Sequence, residues 1–564
     1  MAVMATVATG STSALAAVDT EPISEQPVSD GVDDIDVPPP YSVWSPWQKK
    51  LIVAGAAFGG FFNPITAQVY LPALTVLEDE FGVTEAEINL TVTTYMIFQG
   101  LTPILFSGFT DTLGRRPGYI FCFIVYISAN IALALANDYE DLLVIRCFQS
   151  AGSATIMVIC QAVVADIITS AERGAYIALT AIPSILGPSL GPVIGGAMTQ
   201  YMGWRSIFWM LTIAAGINFL LMLLFIPETC RKVVGDGSVR PPWWCQSVYQ
   251  WFYYRRHPSV PQNLNSLEKS AYTTDEGKLK YATSHLFSSF ALLREKELAL
   301  LLIIGGTVFT GVYAVGTAMP ALLQNLYGFT PMQIGLMYLP LAGGSILAVV
   351  FVGPGMNWNL RRHARKLGMP VDKKTKMDLS RFPIEKVRLE IAFPFLLLGV
   401  GIITSWGWIT VNKVEIEKVI IVVLFLGVGL VGVNNVVNAL IVDIYPDTAG
   451  AALAAYNLAK CIMGAASSGF VAPMILGMGM GPAFTLLGCL YLLLVPIILL
   501  VMWKGVVWRT SRHARELRKK GSILVREQEP QESVSDSDMA STPQKETTST
   551  EILPAEKDAR STSV

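Results

Sequence analysis

Two cations stand out in this sequence because each lies deep inside a long apolar run. Arg146 and Lys460 interrupt such runs, and no Asp or Glu lies in the core of any of them. A charge at the centre of a bilayer costs about 3 kcal/mol or more, so each cation is expected to face a partner or a polar cavity. Two buried cations without a carboxylate could bind an anion. The structural alternatives are that Arg146 extends to the membrane surface and that Lys460 only bonds a neighbouring carbonyl.

Neutral polar residues accompany the two cations in the same apolar runs. Each alone would serve to join neighbouring helices by hydrogen bonds. Together they could line a polar pathway, with Gln68, Tyr95, Asn434 and Asn435 as further members. The candidate substrate-binding residues are Arg146, Gln149, Lys460, Asn457, Asn63, Gln99, Tyr313 and Asn438.

Composition decides which elements must position these residues. The chain has 564 residues, of which 52% are hydrophobic and only 15% are charged, with a net charge of −2. An ordinary soluble domain is about 25% charged. This composition excludes a disordered regulator, a nucleic-acid binder and a typical cytosolic enzyme. The cysteines show no metal-ligand spacing and no nucleophile–base pattern is visible, so we expect neither a metal site nor an enzyme.

Apolar runs long enough to cross a bilayer dominate the chain. A crossing helix needs about 20 mostly apolar residues, and it must be helical because lipid offers no partners for backbone groups. We predict an all-α membrane protein with 12 transmembrane helices in two six-helix bundles. The predicted spans are 49–71, 88–108, 117–137, 140–165, 176–199, 205–227, 298–322, 333–353, 391–411, 418–442, 450–475 and 482–503.

The connections divide the chain and orient it. Lys and Arg concentrate in the even-numbered connections, as at Arg115 and Arg116, whereas the first connection is acidic. The positive-inside rule therefore predicts that both termini are cytoplasmic. The predicted parts are an N-terminal tail (1–46), an N-terminal bundle (47–228), a central cytoplasmic loop (229–297), a C-terminal bundle (298–504) and a C-terminal tail (505–564). Residues 1–46 and 509–564 are both expected to be disordered.

Two glycine-containing motifs have demanding spacing. The turn after span 2 contains Gly108, Asp111, Gly114, Arg115 and Arg116. It places opposite charges at a span boundary, where partial exclusion of water strengthens pairing. The alternative is an ordinary positively charged loop.

Span 5 repeats glycine at every fourth position, which puts small residues on one helix face. Such a face lets a neighbouring helix approach closely, and a proline within it favours a bend. The functional interpretation is that this packing seals one side of a pathway, and the alternative is ordinary helix packing. The residues are Gly187, Gly191, Pro192, Gly195 and Gly196.

These features together resemble the major facilitator superfamily. Over about 47–503, the chain looks like the fungal twelve-span drug:proton antiporter group, in the branch that contains quinidine-resistance, dityrosine and organic-acid exporters. The span 5 run looks like the antiporter motif of that group. Further resemblances are Tyr70-Leu-Pro72-Ala-Leu74, Thr91-Val-Thr-Thr-Tyr95, Gly203-Trp204-Arg205 and Pro227-Glu228-Thr229.

The resemblance implies roles for several residues. Asp111 would meet the N-terminus of span 11, and Arg115 would pair with Asp166, so that this cluster latches the two halves in one state. Arg146 and Gln149 match a span 4 motif linked to proton transfer or substrate binding. Two features depart from the pattern: the corresponding second-half loop, 353–357, lacks the motif's Asp, and span 1 lacks the carboxylate of some cation exporters.

We therefore predict a secondary transporter that exports a small organic solute across the plasma membrane by alternating access. A cavity with cations and no carboxylate favours an organic acid or acidic metabolite. No cofactor is expected, and the energy source would be the proton gradient. The alternatives are a multidrug or polyamine:proton antiporter and a non-transporting membrane receptor.

The expected partners are a small-molecule substrate and the lipid bilayer, with no nucleic acid, and the protein is expected to be a monomer. The segment Pro38-Pro39-Pro40-Tyr41 fits a ligand of WW domains, such as those of ubiquitin ligases. A stiff spacer before span 1 is the favoured interpretation of that segment.

Overall fold

Helices make up all the regular secondary structure in the residues that the computed structural model describes, which are 42–168, 173–256, 295–368, 382–445 and 448–528. The prediction of an all-α protein is confirmed. The first half contains α1 (Pro46–Gly60), α2 (Phe62–Val69), α3 (Leu74–Phe81), α4 (Glu85–Leu113), α5 (Arg115–Leu135), α6 (Tyr139–Ile167), α7 (Arg173–Met202) and α8 (Arg205–Phe225). The central segment contains α9 (Arg231–Val234) and α10 (Val248–Arg256). The second half contains α11 (Lys296–Tyr327), α12 (Pro331–Leu336), α13 (Tyr338–Lys366), α14 (Ile384–Val411), α15 (Ile416–Ile444), α16 (Ala449–Met478), α17 (Met480–Leu492) and α18 (Leu494–Gln528).

The helices follow the predicted spans. Eleven helical segments within the described residues are long and apolar enough to cross a membrane. The remaining predicted span, 176–199, lies within the 30-residue helix α7. Three spans are built from more than one helix: α1 to α3 form the first, α12 and α13 the eighth, and α17 and α18 the twelfth.

Local sequence signals set several helix starts. Ser45, Thr84 and Thr330 each accept a hydrogen bond from the backbone of the third helical residue, whose side chain bonds back to the cap. This reciprocal arrangement satisfies backbone N–H groups that a helix start leaves without partners. It fixes where α1, α4 and α12 begin.

Packing joins the helices within each half and also joins the halves. α5 and α6 pack together in the first half, as α14 and α15 do in the second. Between the halves, α4 packs along α16, and α7 packs against α12 and α13. We call the helix ends that carry Arg115, Arg361 and Arg515 the basic end, and the other ends the opposite end.

Two predictions about irregular structure are wrong. Residues 353–357, interpreted as a loop, lie inside α13, whose last turn carries His363, Arg365 and Lys366. Cations stabilise the C-terminal end of a helix, so the helix continues beyond the apolar run. The C-terminal tail also begins as helix, because α18 continues to Gln528. The predicted WW ligand at Pro38, Pro39 and Tyr41 lies outside the described residues, as does the side chain of Asp111.

Candidate functional site

Arg146 points into the protein rather than toward the membrane surface. Its side chain is 1% exposed, and its guanidinium carbon lies 4.0 Å from the ring centre of Tyr70 and 4.4 Å from that of Tyr95. Arg146 Nη1 donates a hydrogen bond of 2.7 Å to Gln149 Oε1. Its Nε and Nη2 groups are buried without a hydrogen-bond partner among the described residues. The cation therefore keeps donors free for a ligand.

A polar chain fixes the orientation of Gln149. Gln149 Nε2 donates to Asn130 Oδ1 at 2.8 Å, and Asn130 Nδ2 donates to the carbonyl oxygen of Tyr126 at 2.7 Å. All three residues are buried. Gln149 therefore presents its carbonyl oxygen to Arg146 with little freedom to rotate. Asn130 is not among the predicted site residues, although a polar residue inside an apolar span is a signal that could have found it.

Gln99 makes one polar contact within the first half and one with the second half. Gln99 Nε2 donates to Asn63 Oδ1 at 3.1 Å, so two predicted site residues meet. Cys461 Sγ of α16 lies 4.0 Å from Gln99 Oε1. Tyr313 of α11 lies close enough to Arg146 and Tyr95 to interact with both electrostatically. Residues from both halves therefore lie near Arg146.

Lys460 lies on the protein-facing side of α16. Its Nζ is 4.6 Å from the ring centre of Tyr456 and 5.3 Å from that of Phe309. The side chain is partly exposed, whereas Ile462, two residues along and so on the other side of the helix, is 50% exposed. No ion pair between Lys460 and an acid occurs in the described part of the chain. Two aromatic rings lie beside this ammonium group.

The two cations occupy separate clusters. Tyr456 donates to Asn434 Oδ1 at 2.7 Å, which ties the Lys460 cluster to α15. Phe309, below Lys460, also packs on Tyr313 with ring centres 4.9 Å apart, so one aromatic pair separates the clusters. Asn457 is partly exposed one turn before Lys460 on the same face. Asn438 is exposed on α15 and makes no hydrogen bond found within the described ranges to either cluster.

The span 5 glycines form a packing face. A Cβ at Gly187 would lie 2.6 Å from Pro64 Cβ, and one at Gly191 would lie 3.1 Å from Gln68 Cβ. A Cβ at Gly195 would collide with the carbonyl oxygen of Val69. At the opposite end, a Cβ at Gly196 would collide with the carbonyl oxygen of Pro331. A Cβ at Gly335 would likewise collide with the carbonyl oxygen of Pro192. This face packs α7 on α2 and also holds the two halves together.

Glu228 organises the basic end of the first half. Gly114 has a φ of 112°, and a Cβ there would lie 2.5 Å from Glu228 Oε2. The backbone N–H groups of Arg115 and Arg116 donate to the Glu228 carboxylate at 2.9 and 3.0 Å. A carboxylate at a helix N-terminus satisfies unpaired amides and interacts favourably with the helix dipole. Burial, together with the nearby Glu228 charge, raises the pKa of the Cys245 thiol to about 12.

The ion pair that the resemblance implies is present. Arg115 Nε lies 2.8 Å from Asp166 Oδ2. Arg116 instead donates to backbone carbonyls, including that of Leu223 at 2.7 Å, and is 5% exposed. Gly108 is buried within α4. The second half has a corresponding pair, since Arg388 Nε lies 2.9 Å from Asp443 Oδ2.

Buried acids and arginines also connect α18 to the second half. Glu385 and Glu297 are 0% and 2% exposed. Arg509 Nε lies 3.4 Å from Glu385 Oε1, and Arg512 Nη1 lies 3.8 Å from Glu297 Oε2. These residues, like Glu228 and Arg388, have no predicted role from the sequence, because their partners lie far away in the chain.

The side chains of the Arg146 and Lys460 clusters are suited to binding a ligand. Across the described residues, no group of three His, Cys, Asp or Glu side chains is placed to hold a metal ion. The Arg146 cluster offers unpartnered N–H donors beside aromatic rings and an amide. The Lys460 cluster offers an ammonium group over aromatic faces. Such groups can hold an anion with an organic body.

Comparisons with known proteins agree with this arrangement. The Major Facilitator Superfamily model matches residues 56–468. The MFS-type transporter phiD of Fungal sp. (strain ATCC 74256) is 41% identical over 481 residues, which are 85% of this chain and 72% of that protein. The multidrug transporter QDR2 of Candida glabrata is 31% identical over 489 residues, which are 83% of this chain and 82% of that protein. The crystal structure of the human organic anion transporter MFSD10 (TETRAN) has a TM-score of 0.52 and 16% identity, covering 81% of this chain and 100% of that one.

Proposed function

The chain belongs to the major facilitator superfamily of membrane transporters, and from that premise we propose that it exports an organic acid or acidic metabolite by alternating access. Family membership already makes it a multi-pass membrane transporter rather than an enzyme. The export direction, the acidic cargo and the coupling to protons are the proposal. It places the protein in the plasma membrane, with the basic end and both termini in the cytoplasm.

The observation that carries the proposal is the charge of the site. Arg146 is buried and makes no ion pair with an acid in the part of the chain that the structure describes. Lys460 is partly exposed, and it likewise makes no ion pair with an acid among the described residues. A carboxylate beside Arg146 would satisfy donors that are unpartnered among the described residues, and its pairing with a cation at low dielectric would offset the desolvation of both.

Contacts between the halves support alternating access. Thr93 Oγ1 of α4 lies 2.8 Å from Ser468 Oγ of α16, and Gly196 meets Pro331 at the opposite end. These contacts close the pathway at the opposite end. We propose that rocking of the halves breaks them, and that the Arg115–Asp166 cluster contributes to the latch at the basic end.

The energy source is proposed to be the proton gradient, as the family resemblance implies. A protonophore that collapses an imposed pH gradient across vesicles should then stop concentrative uptake of the acid. Concentrative uptake that persists after the gradient has collapsed would contradict proton coupling but not the transport function.

One relative favours a second candidate function, a multidrug:proton antiporter. The similarity to the multidrug transporter QDR2 covers most of both chains. A cationic drug would have to bind beside Arg146 and Lys460, which repel it. The aromatic rings of Tyr70, Tyr95 and Phe309 favour binding of a cationic drug only if those two cations already contact an anion.

The test uses the purified full chain in lipid vesicles. Uptake of ¹⁴C-labelled mono-, di- and tricarboxylates is compared with uptake of a labelled cationic drug. Lys460→Ala should lower carboxylate uptake about tenfold or more, since loss of one buried charge-assisted contact is worth about 1.5–3 kcal/mol. Lys460→Met keeps the side-chain length without the charge and should behave in the same way.

The matched control is Lys504→Ala, which removes a lysine that lies 5.3 Å from the Trp503 ring and outside both clusters. Its uptake should equal that of the unaltered protein. Carboxylate uptake that Lys460→Ala leaves unchanged contradicts an anionic cargo. Drug uptake without carboxylate uptake supports the second candidate instead.

A further inference from the structure

We propose that the outer face of α13 at the basic end is a binding site for an anionic phospholipid whose headgroup carries more than one phosphate. This site is separate from the transport pathway and does not depend on the identity of the cargo. It is a cavity of about 620 Å³ lined by Pro354, Asn357, Trp358, Arg361, Arg362, Arg365 and Lys366.

The cations of this cavity share one helix face. Trp358, Arg361, Arg362 and Arg365 follow a spacing of three, four and seven residues, which places them on one side of α13. All four are exposed, and Trp358 is 61% exposed. The Arg362 guanidinium lies 5.5 Å from the centre of the Trp358 ring. The face thus presents a tryptophan at one level and three guanidinium groups within the next two turns.

The other side of the same helix segment is occupied by protein. His363 Nε2 lies 2.8 Å from Glu390 Oε2 of α14. Asn359 Nδ2 donates to the same oxygen at 3.0 Å and to the carbonyl oxygen of Val387 at 2.7 Å. The nearby carboxylate is therefore committed to the inner face. None of the ion pairs found in the described residues involves Arg361, Arg362, Arg365 or Lys366.

An apolar stripe continues the basic face into the membrane, and it identifies the occupant as a lipid. Leu347, Val350 and Phe351 are 39%, 57% and 61% exposed. At 100° per residue they lie within about 80° of the direction of Trp358 and within about 60° of that of Arg365. An acyl chain can lie along this stripe while its headgroup reaches the arginines. A soluble anion would use only the basic part.

The number of cations indicates the kind of headgroup. Among the described residues, the cavity is lined by four cations and by no acid. A headgroup with a single net charge would leave most of them uncompensated, whereas a headgroup with two or three phosphates matches them. Basic clusters next to a membrane span attract such lipids, with each cation contributing about 1 kcal/mol near the surface. Tryptophan at the boundary anchors the site at headgroup level.

The helix dipole explains only part of the basic cluster. Its effect falls off within the last turn of a helix. Arg365 and Lys366 lie in the last turn of α13, but Arg361 and Arg362 precede it. The two earlier arginines therefore need another reason to share an exposed face with a tryptophan.

The test is lipid binding by the purified full chain, measured by native mass spectrometry with phosphatidylinositol 4,5-bisphosphate, phosphatidylserine and phosphatidylcholine. The bisphosphate lipid should be retained most strongly. Arg361→Gln/Arg365→Gln should raise its apparent Kd at least tenfold. Both side chains are exposed and unpaired with acids, so the melting temperature, measured alongside, should not change. The single substitution Arg362→Gln tests one further arginine of the same face.

The matched control is Arg255→Gln/Arg256→Gln, which removes two exposed arginines at the end of α10. It should change the Kd less than twofold. If both double variants weaken lipid binding equally, the effect is due to net charge alone, and the proposed site is overturned. Inositol 1,4,5-trisphosphate that binds as tightly as the lipid would overturn the lipid assignment in favour of a soluble anion.

Discussion

Arg146 shows how a cation can be held inside a membrane protein without a carboxylate. Placing a charge at bilayer depth costs about 3 kcal/mol or more. Two aromatic faces at 4.0 and 4.4 Å contribute about 2 kcal/mol each when desolvated, and the bond to Gln149 contributes about 1.5–3 kcal/mol. These contributions are large enough to hold the guanidinium. Nε and Nη2 then remain for a ligand.

Replacing Arg146 by lysine tests this account at the residue scale. Lysine keeps the charge but loses the planar stacking and the spare donors, so carboxylate uptake should fall about tenfold or more. The matched control is Arg205→Lys, because Arg205 lies 4.3 Å from the Trp204 ring in a 39% exposed ion pair with Glu80. Uptake by vesicles containing each variant is the measurement. Equal uptake by both variants would show that stacking between the tyrosines plays no part in transport.

At the scale of elements, the glycine face of α7 decides how closely α2 can approach. Gly195 faces the carbonyl oxygen of Val69, which is backbone and cannot rotate away. Gly191 and Gly187 meet the same element one and two turns earlier in α7. Lipid supplies no hydrophobic driving force between helices, so this interface depends on the close packing that small residues allow.

The substitution Gly195→Ala should destabilise the protein. Overpacking of this kind costs about 1–3 kcal/mol, occasionally more, and here it outweighs the gain of about 1 kcal/mol in helix propensity. Thermal unfolding in detergent is the measurement. Gly216→Ala in α8 is the control, because a Cβ there meets nothing within 4 Å, and it should unfold at the same temperature or higher. Equal melting temperatures for the two variants would contradict a tightly packed α7 face.

At the scale of the whole molecule, the structure shows halves in contact at the opposite end. Thr93 and Ser468 bring α4 and α16 together, and a Cβ at Gly100 would lie 2.8 Å from Cys461 Cβ. A further inter-half contact, between α7 and the α12–α13 pair, also involves residues of that end, Gly196 and Pro331. Transport by rocking requires these contacts to open in each cycle.

A disulfide across the contact should therefore stop transport. The hydroxyl oxygens of Thr93 and Ser468 are 2.8 Å apart, so Thr93→Cys/Ser468→Cys should form a bond under mild oxidation. Uptake should be lost on oxidation and return on reduction. Thr93→Cys alone is the control for the seven native cysteines, and it should retain uptake in both conditions. Full uptake by the cross-linked protein would show that these helices do not separate.

The sequence by itself determined the helical class, the positions of the spans and the two buried cations, because a bilayer imposes its requirements on each segment separately. It also suggested the Arg115–Asp166 pair through a family resemblance. The tertiary structure alone decided that Asn130 orients Gln149, that Glu228 binds the start of α5, and that Arg388 meets Asp443. Each of these contacts joins segments far apart in the chain, and their distance depends on how whole helices pack. For the same reason only the structure separated Arg146 from Lys460 and continued α18 past the predicted span, where Arg509 and Arg512 reach buried acids on other helices.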